Sequence, residues 1–242
     1  MTPTLVFLPG SLCDSRVWQP VYGSLHSEYP CIIWNYQPDD SIAAMAARVL
    51  AAVSGSLLPV GLSMGGIVAL EMWRQAPHRI HALALFGTNP GPDTPQRQEG
   101  RATQIDLAQR DGMERLARDR LAPAYLAPAT VGREPFTSTV AAMAASAGVK
   151  TLVAQSGALA GRADSWPSLP EIDVPVLVAY GSGDCICPPD DHVRMADMLQ
   201  HGSRVILDNA GHLAPLEQPS ESGQVLRDWL STIGINAVKE TR

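Results

Sequence analysis

The stretch that most constrains this chain is Leu58-Pro59-Val60-Gly61-Leu62-Ser63-Met64-Gly65-Gly66, an apolar run that breaks into a Gly-x-Ser-x-Gly turn and resumes as a helical pattern. Val60 and Leu62 read as buried strand, while Ile67, Val68, Leu70 and Met72 follow at the spacing of an amphipathic helix. A strand that becomes a helix within so few residues holds its serine in a strained backbone. Gly61 and Gly65 remove the side chains that would collide across such a turn. The pentapeptide alone is common, and its weight comes from the strand before it and the helix after it. The turn lifts Ser63 above the sheet edge and points the Met64 N–H into the same space.

The flanking sequence repeats the strand-then-helix order. Strands are expected at 5–8, 31–34, 57–62, 78–86, 175–180 and 203–207, and helices at 18–25, 40–54, 64–77, 190–199 and 219–233. Short apolar strands alternating with helices predict a three-layer α/β sandwich around about six mostly parallel strands. Right-handed crossovers then gather the loops that leave the strand C-termini along one edge. Between residues 93 and 163 the alternation pauses for a charged helical run, 98–121, and a small-residue run, 136–148, that continues through 159. This segment is expected to form a small helical lid, a cap insertion within a single domain of residues 1–242. The tail after Asn236 is expected to fray.

Composition narrows the chemistry. Asp and Glu outnumber Lys and Arg by 24 to 18, so no basic field gathers nucleic acid or anionic lipid. The segment Met1 to Pro9 runs straight into a strand and does not read as a signal peptide, and no apolar run is expected to span a bilayer. Cys13, Cys31, Cys185 and Cys187 are thinly spread and are expected as free thiols, which suits the cytoplasm. Cys185 and Cys187, one residue apart, have neither redox nor zinc-ligand spacing. Without a tight cluster of His, Cys and carboxylates no metal is expected. The phosphate-binding glycine motifs are missing too, so no cofactor is expected.

A serine hydroxyl needs a base, and the base needs an orienting carboxylate. Asp184 follows the fifth strand in Gly181-Ser182-Gly183-Asp184, and His212 follows the sixth in Asp208-Asn209-Ala210-Gly211-His212. Both are therefore expected on the edge that carries Ser63. The order serine, acid, histidine suits this class of turn. Asp208 lies on the histidine loop but is better placed as a turn former. An oxyanion needs two donors. Met64 N–H is one candidate, and Ser11, with Leu12 as alternative, is the other, from the loop Pro9-Gly10-Ser11-Leu12. The other histidines, His26, His78, His81, His192 and His201, read as structural or solvent-facing. Trp18 and Trp34 read as core, and Trp166 as a possible site residue.

With these residues in place, the chain resembles the α/β-hydrolase superfamily, in particular its small esterase, lactonase and perhydrolase-like members. The resemblance rests on Leu8-Pro9-Gly10-Ser11-Leu12, Gly61-Leu62-Ser63-Met64-Gly65-Gly66, Gly181-Ser182-Gly183-Asp184 and Gly211-His212. Pro9-Gly10 stands where family members usually carry His-Gly, and the first strand looks like the family's third, without the usual leading hairpin. The resemblance implies the α/β-hydrolase fold, Ser63 as nucleophile and an acyl-enzyme released by water. The expected substrate is a small acyl ester, with lactone or amide hydrolysis, acyl transfer, perhydrolysis and carbon-carbon bond hydrolysis as variants. A non-catalytic ligand-binding protein on the same scaffold is the alternative of a different class. Nothing in the sequence sets the oligomeric state.

Overall fold

The structure is a computed structural model that describes residues 2–237. Six parallel strands form one sheet in the order β2-β1-β3-β4-β5-β6. They are β1 (Thr4–Leu8), β2 (Cys31–Ile33), β3 (Leu57–Leu62), β4 (Leu83–Phe86), β5 (Val176–Gly181) and β6 (Gly202–Leu207). The helices are α1 (Gln19–Leu25), α2 (Ile42–Ala52), α3 (Met64–Gln75), α4 (Pro95–Asp111), α5 (Met113–Leu116), α6 (Ala122–Tyr125), α7 (Phe136–Ala160), α8 (Pro189–Met198), α9 (Ala214–Glu217) and α10 (Pro219–Thr232). The expected parallel sheet and its three layers are present.

Period-two alternation along the strands builds a separate core on each face. Phe7, Leu58, Val60, Leu62 and Phe86 face Trp18 and Val21 near α1 and Leu226, Trp229 and Leu230 of α10. Val6, Leu8, Leu83, Leu85 and Val178 face Met45 and Val49 of α2, Val68 and Met72 of α3 and Met195 of α8. Each fully buried side chain of this size contributes roughly 1.5–3 kcal/mol, so both faces hold the sheet. Trp18 is fully buried, as expected, with its indole N–H donating to the Leu8 carbonyl over 3.1 Å. Trp34 is only partly buried, packed against the second core.

Four elements depart from the sequence reading. The fourth strand begins at Leu83 rather than at residue 78, because Pro77–Arg79 forms a 3₁₀ turn first. The charged run 98–121 is not one helix: α4 stops at Gly112, whose φ of 89° ends it, and α5, a π turn (Ala117–Leu121) and α6 follow. The short α9 was not foreseen.

The fourth concerns α7, which is by length and composition apolar enough to cross a membrane, against the expectation that no run would be. Gly148, at φ 71° and ψ 170°, breaks it. Each half is about 18 Å long at 1.5 Å per residue, short of the ~30 Å hydrocarbon core of a bilayer. The expectation for the tail concerns mainly residues 238–242, which lie outside the described residues.

Candidate active site

The C-terminal ends of β1, β3, β4, β5 and β6 all open on one edge because every strand pair is parallel. Ser63 leaves β3 with φ 54° and ψ −113°, a backbone that L-residues rarely adopt, and its own N–H donates to the Phe86 carbonyl over 2.8 Å. Two glycines make that turn possible. A Cβ on Gly61 would lie 2.4 Å from the Gly65 carbonyl carbon, and one on Gly65 would lie 2.1 Å from the Leu8 carbonyl oxygen.

Asp184 and His212 meet across neighbouring strand ends. His212 Nδ1 and Asp184 Oδ2 are 2.9 Å apart, and both residues are buried. Asp184 Oδ1 accepts from the N–H groups of Ile186 (2.8 Å) and Cys187 (3.0 Å). Burial opposes ionisation of Asp184, but the His212 charge, its hydrogen bond and the two amides outweigh it, and the carboxyl is held below its ordinary range. Gly87 backs the pair: at φ 49°, a Cβ there would stand 3.2 Å from both Asp184 Oδ2 and His212 Nδ1. Asp208, which lies on the same loop, is not in this cluster.

Sequence reasoning missed several residues that hold the histidine loop. The N–H groups of His212 and Leu213 donate to the Tyr125 carbonyl over 2.8 and 3.2 Å, and the Tyr125 ring lies 5.6 Å from the imidazole. Glu217 is buried, with Oε1 accepting from Gly211 N–H (2.9 Å) and Oε2 from Ala127 N–H (2.7 Å) and the Thr130 hydroxyl. One carboxylate thus ties the His212 loop to the segment that ends α6. An acid six residues past Gly211, in a Pro-containing turn, was the available signal.

The loop after β1 offers two amides. Leu12 N–H donates to Gln155 Oε1 over 2.8 Å, and the Ser11 hydroxyl donates to the same oxygen over 3.0 Å. The N–H groups of Ser11 and Met64 have no protein acceptor among the described residues. Leu12 N–H is therefore committed elsewhere, and Ser11 N–H is not.

Ser63 and His212 line one cavity of about 350 Å³, at the small end of the roughly 300–1,000 Å³ typical of ligand sites. Residues 93–163 contribute much of its lining: Arg97, Arg101 and Gln104 of α4, Tyr125 of α6, Leu159 of α7 and Arg162 just beyond it. Trp166 does not line it. It packs instead in the core of the second face, with the Arg194 guanidinium 4.2 Å from its ring centre.

The four cysteines are free thiols, as expected. Cys187 nevertheless joins Asp184 and His212, their ligand-type atoms all within 4.8 Å, which corrects the expectation that no tight cluster forms. The donor set does not suit a metal ion. Asp184 already accepts three hydrogen bonds, and burial, then the Asp184 charge, pushes the Cys187 thiol well above its usual range, so it stays protonated.

Among solved structures, the chain is similar to a thermophilic esterase from Thermogutta terrifontis, determined with malate bound, at a TM-score of 0.85 and 27% identity over 96% of this chain and 90% of that one. Among curated proteins it is 27% identical over 81% of its length to a pimeloyl-[acyl-carrier protein] methyl ester esterase of Neisseria meningitidis, covering 78% of that protein. It is also 24% identical over 93% of its length to the biotin biosynthesis bifunctional protein BioHC of Saccharophagus degradans. The chain spans 43% of the Saccharophagus protein's length and 65% of a Bacillus subtilis relative's. The sequence model of the alpha/beta hydrolase family matches residues 5–222, and with its six-stranded parallel sheet the chain belongs to that family of hydrolases.

Proposed function

We propose that this hydrolase cleaves a small carboxylic ester through an acyl-enzyme on Ser63. The observation that carries the reading is the buried 2.9 Å bond between His212 Nδ1 and Asp184 Oδ2, on the wall of the cavity that Ser63 lines.

With Nδ1 engaged by Asp184, Nε2 is the nitrogen left to take the Ser63 proton. Ser63 Oγ attacks the ester carbonyl, and the negative charge that develops on oxygen is met by the N–H groups of Met64 and Ser11. His212 then returns the proton to the departing alcohol. Water, deprotonated by the same imidazole, attacks the acyl group and releases the acid and Ser63. Asp184 remains ionised throughout, which fixes the ring tautomer and stabilises the imidazolium. The esterase likeness at 27% identity favours ester cleavage within the family.

The test is turnover of a panel of short esters by the parent protein and Ser63→Ala, with mass spectrometry of a fluorophosphonate adduct. The expected result is an adduct on Ser63 and loss of turnover in the variant. Equal turnover by the two proteins defeats the reading.

A further inference from the structure

The cavity that Ser63 lines is also lined by three arginines, Arg97, Arg101 and Arg162. Arg97 and Arg101 are four residues apart on α4, hence on one face of it. Arg162 enters from the end of α7 with its side chain only 2% exposed.

One carboxylate serves two of them. Asp93, whose side chain is fully buried, is shared: Oδ1 accepts from Arg162 Nη1 (2.8 Å) and Oδ2 from Arg101 Nε (2.9 Å). Asp184 is committed to His212 and two amides, and Asp191 accepts from the Asn89 amide over 2.9 Å. Among the described residues Arg97 meets one acceptor, the Ile186 carbonyl, at 3.1 Å. Arg97 Nε and Nη1, Arg101 Nη1 and Arg162 Nη2 have no protein acceptor among the described residues. A buried guanidinium is costly unless its charge and its donors are met. Burial first, and then the like charges of Arg101 and Arg97, pull the Arg162 pKa below its ordinary value, against the pull of Asp93. Among the described residues Arg97 has no ion-pair partner, and each of the three guanidinium groups keeps donors that no protein acceptor meets.

We propose that Arg97, Arg101 and Arg162 receive a carboxylate on the substrate, so that the ester cleaved at Ser63 is a short monoester of a dicarboxylic acid. Resting on the ester-hydrolase reading above, this names the substrate class. A carboxylate offers two charged oxygens to the donors left on Arg97 Nε and Nη1, Arg101 Nη1 and Arg162 Nη2, which a neutral amide or methyl group answers less well. The cavity of about 350 Å³ keeps the spacing between that carboxylate and the ester carbonyl short. The bound acid supplies the partner that Arg97 lacks.

The experiment compares kcat/KM for monomethyl succinate and monomethyl glutarate with that for their neutral amide counterparts, methyl succinamate and methyl glutaramate. In parallel, free glutarate competes with fluorophosphonate labelling of Ser63. The parent protein should prefer the charged esters by about 100-fold, and Arg97→Gln and Arg101→Gln should each cut that ratio about tenfold, mainly through KM. Arg162→Lys, which keeps the charge but loses the fork, serves as the buried variant, with circular dichroism confirming that each variant is folded. Glutarate should slow labelling of the parent more than glutaramate does. A parent protein that is labelled at Ser63 yet shows neither preference nor protection overturns the carboxylate site and leaves the nucleophile standing. A parent protein that is not labelled overturns the reading on which the proposal rests.

Discussion

The amide of Gly211 donates to the buried carboxylate of Glu217 over 2.9 Å, so the residue that precedes His212 is positioned by the chain that follows it. Because the other oxygen of Glu217 holds Ala127 and Thr130, this side chain joins the Tyr125 carbonyl in tying the His212 loop to the segment that ends α6. Replacement by glutamine puts an NH₂ group against one of these donors. Glu217→Gln should lose about 1–3 kcal/mol for a buried donor left unmet, read as a lower urea midpoint. Its kcat for short esters should fall as the loop loosens.

Asp184 gives the site an acid limit. Its folded-state carboxyl is held below the ordinary value, so its ionisation adds stability above about pH 4, near the unfolded-state pKa. That contribution is lost as pH falls through the lower folded value. Asp184→Asn should flatten this part of the stability profile, measured by urea denaturation between about pH 2 and 6. It should also lower kcat by as much as about 10⁴-fold, since the amide no longer selects the productive tautomer.

Two glycine substitutions should differ in sign. Gly65→Ala places a methyl group 2.1 Å from the Leu8 carbonyl and should prevent stable folding or lower the melting temperature sharply. Gly23→Ala, on α1 with nothing within 4 Å of the new methyl group, should stabilise by about 0.4–1 kcal/mol. Thermal denaturation of the pair separates a steric requirement from a glycine that is merely permitted.

Gln155 braces the loop after β1 through Ser11 and Leu12. Gln155→Ala leaves both groups without this acceptor and lets the loop shift. On the proposed mechanism this displaces the Ser11 N–H from the developing oxyanion, and kcat should fall by up to about 10²-fold. Far-ultraviolet circular dichroism should be retained, since no strand contact is lost.

How far the sequence could be read depends on how local each cause is. The turn at Ser63 and the addresses of Asp184 and His212 follow from strand ends that a short window reveals, and the structure places Asp184 against His212. Arg162, Tyr125 and Glu217 were not legible, because their roles depend on how residues 93–163 fold back over the sheet edge. Arg101 lies in the charged run 98–121 and Arg97 just before it, but the direction in which either side chain turns was not legible. The breaks at Gly112 and Gly148 escaped because a lone glycine within a helical pattern is usually tolerated, whereas both residues here adopt positive φ. The late start of β4 traces to Pro77, which opens a 3₁₀ turn where an apolar count alone favoured strand.

The backbone at residue 63, at φ 54° and ψ −113°, sets the protein's heat resistance against its chemistry. Glycine occupies such angles without the steric penalty, so Ser63→Gly should melt at a higher temperature than the parent protein while hydrolysing nothing. Durability and the proposed chemistry thus ask for different residues at this one position.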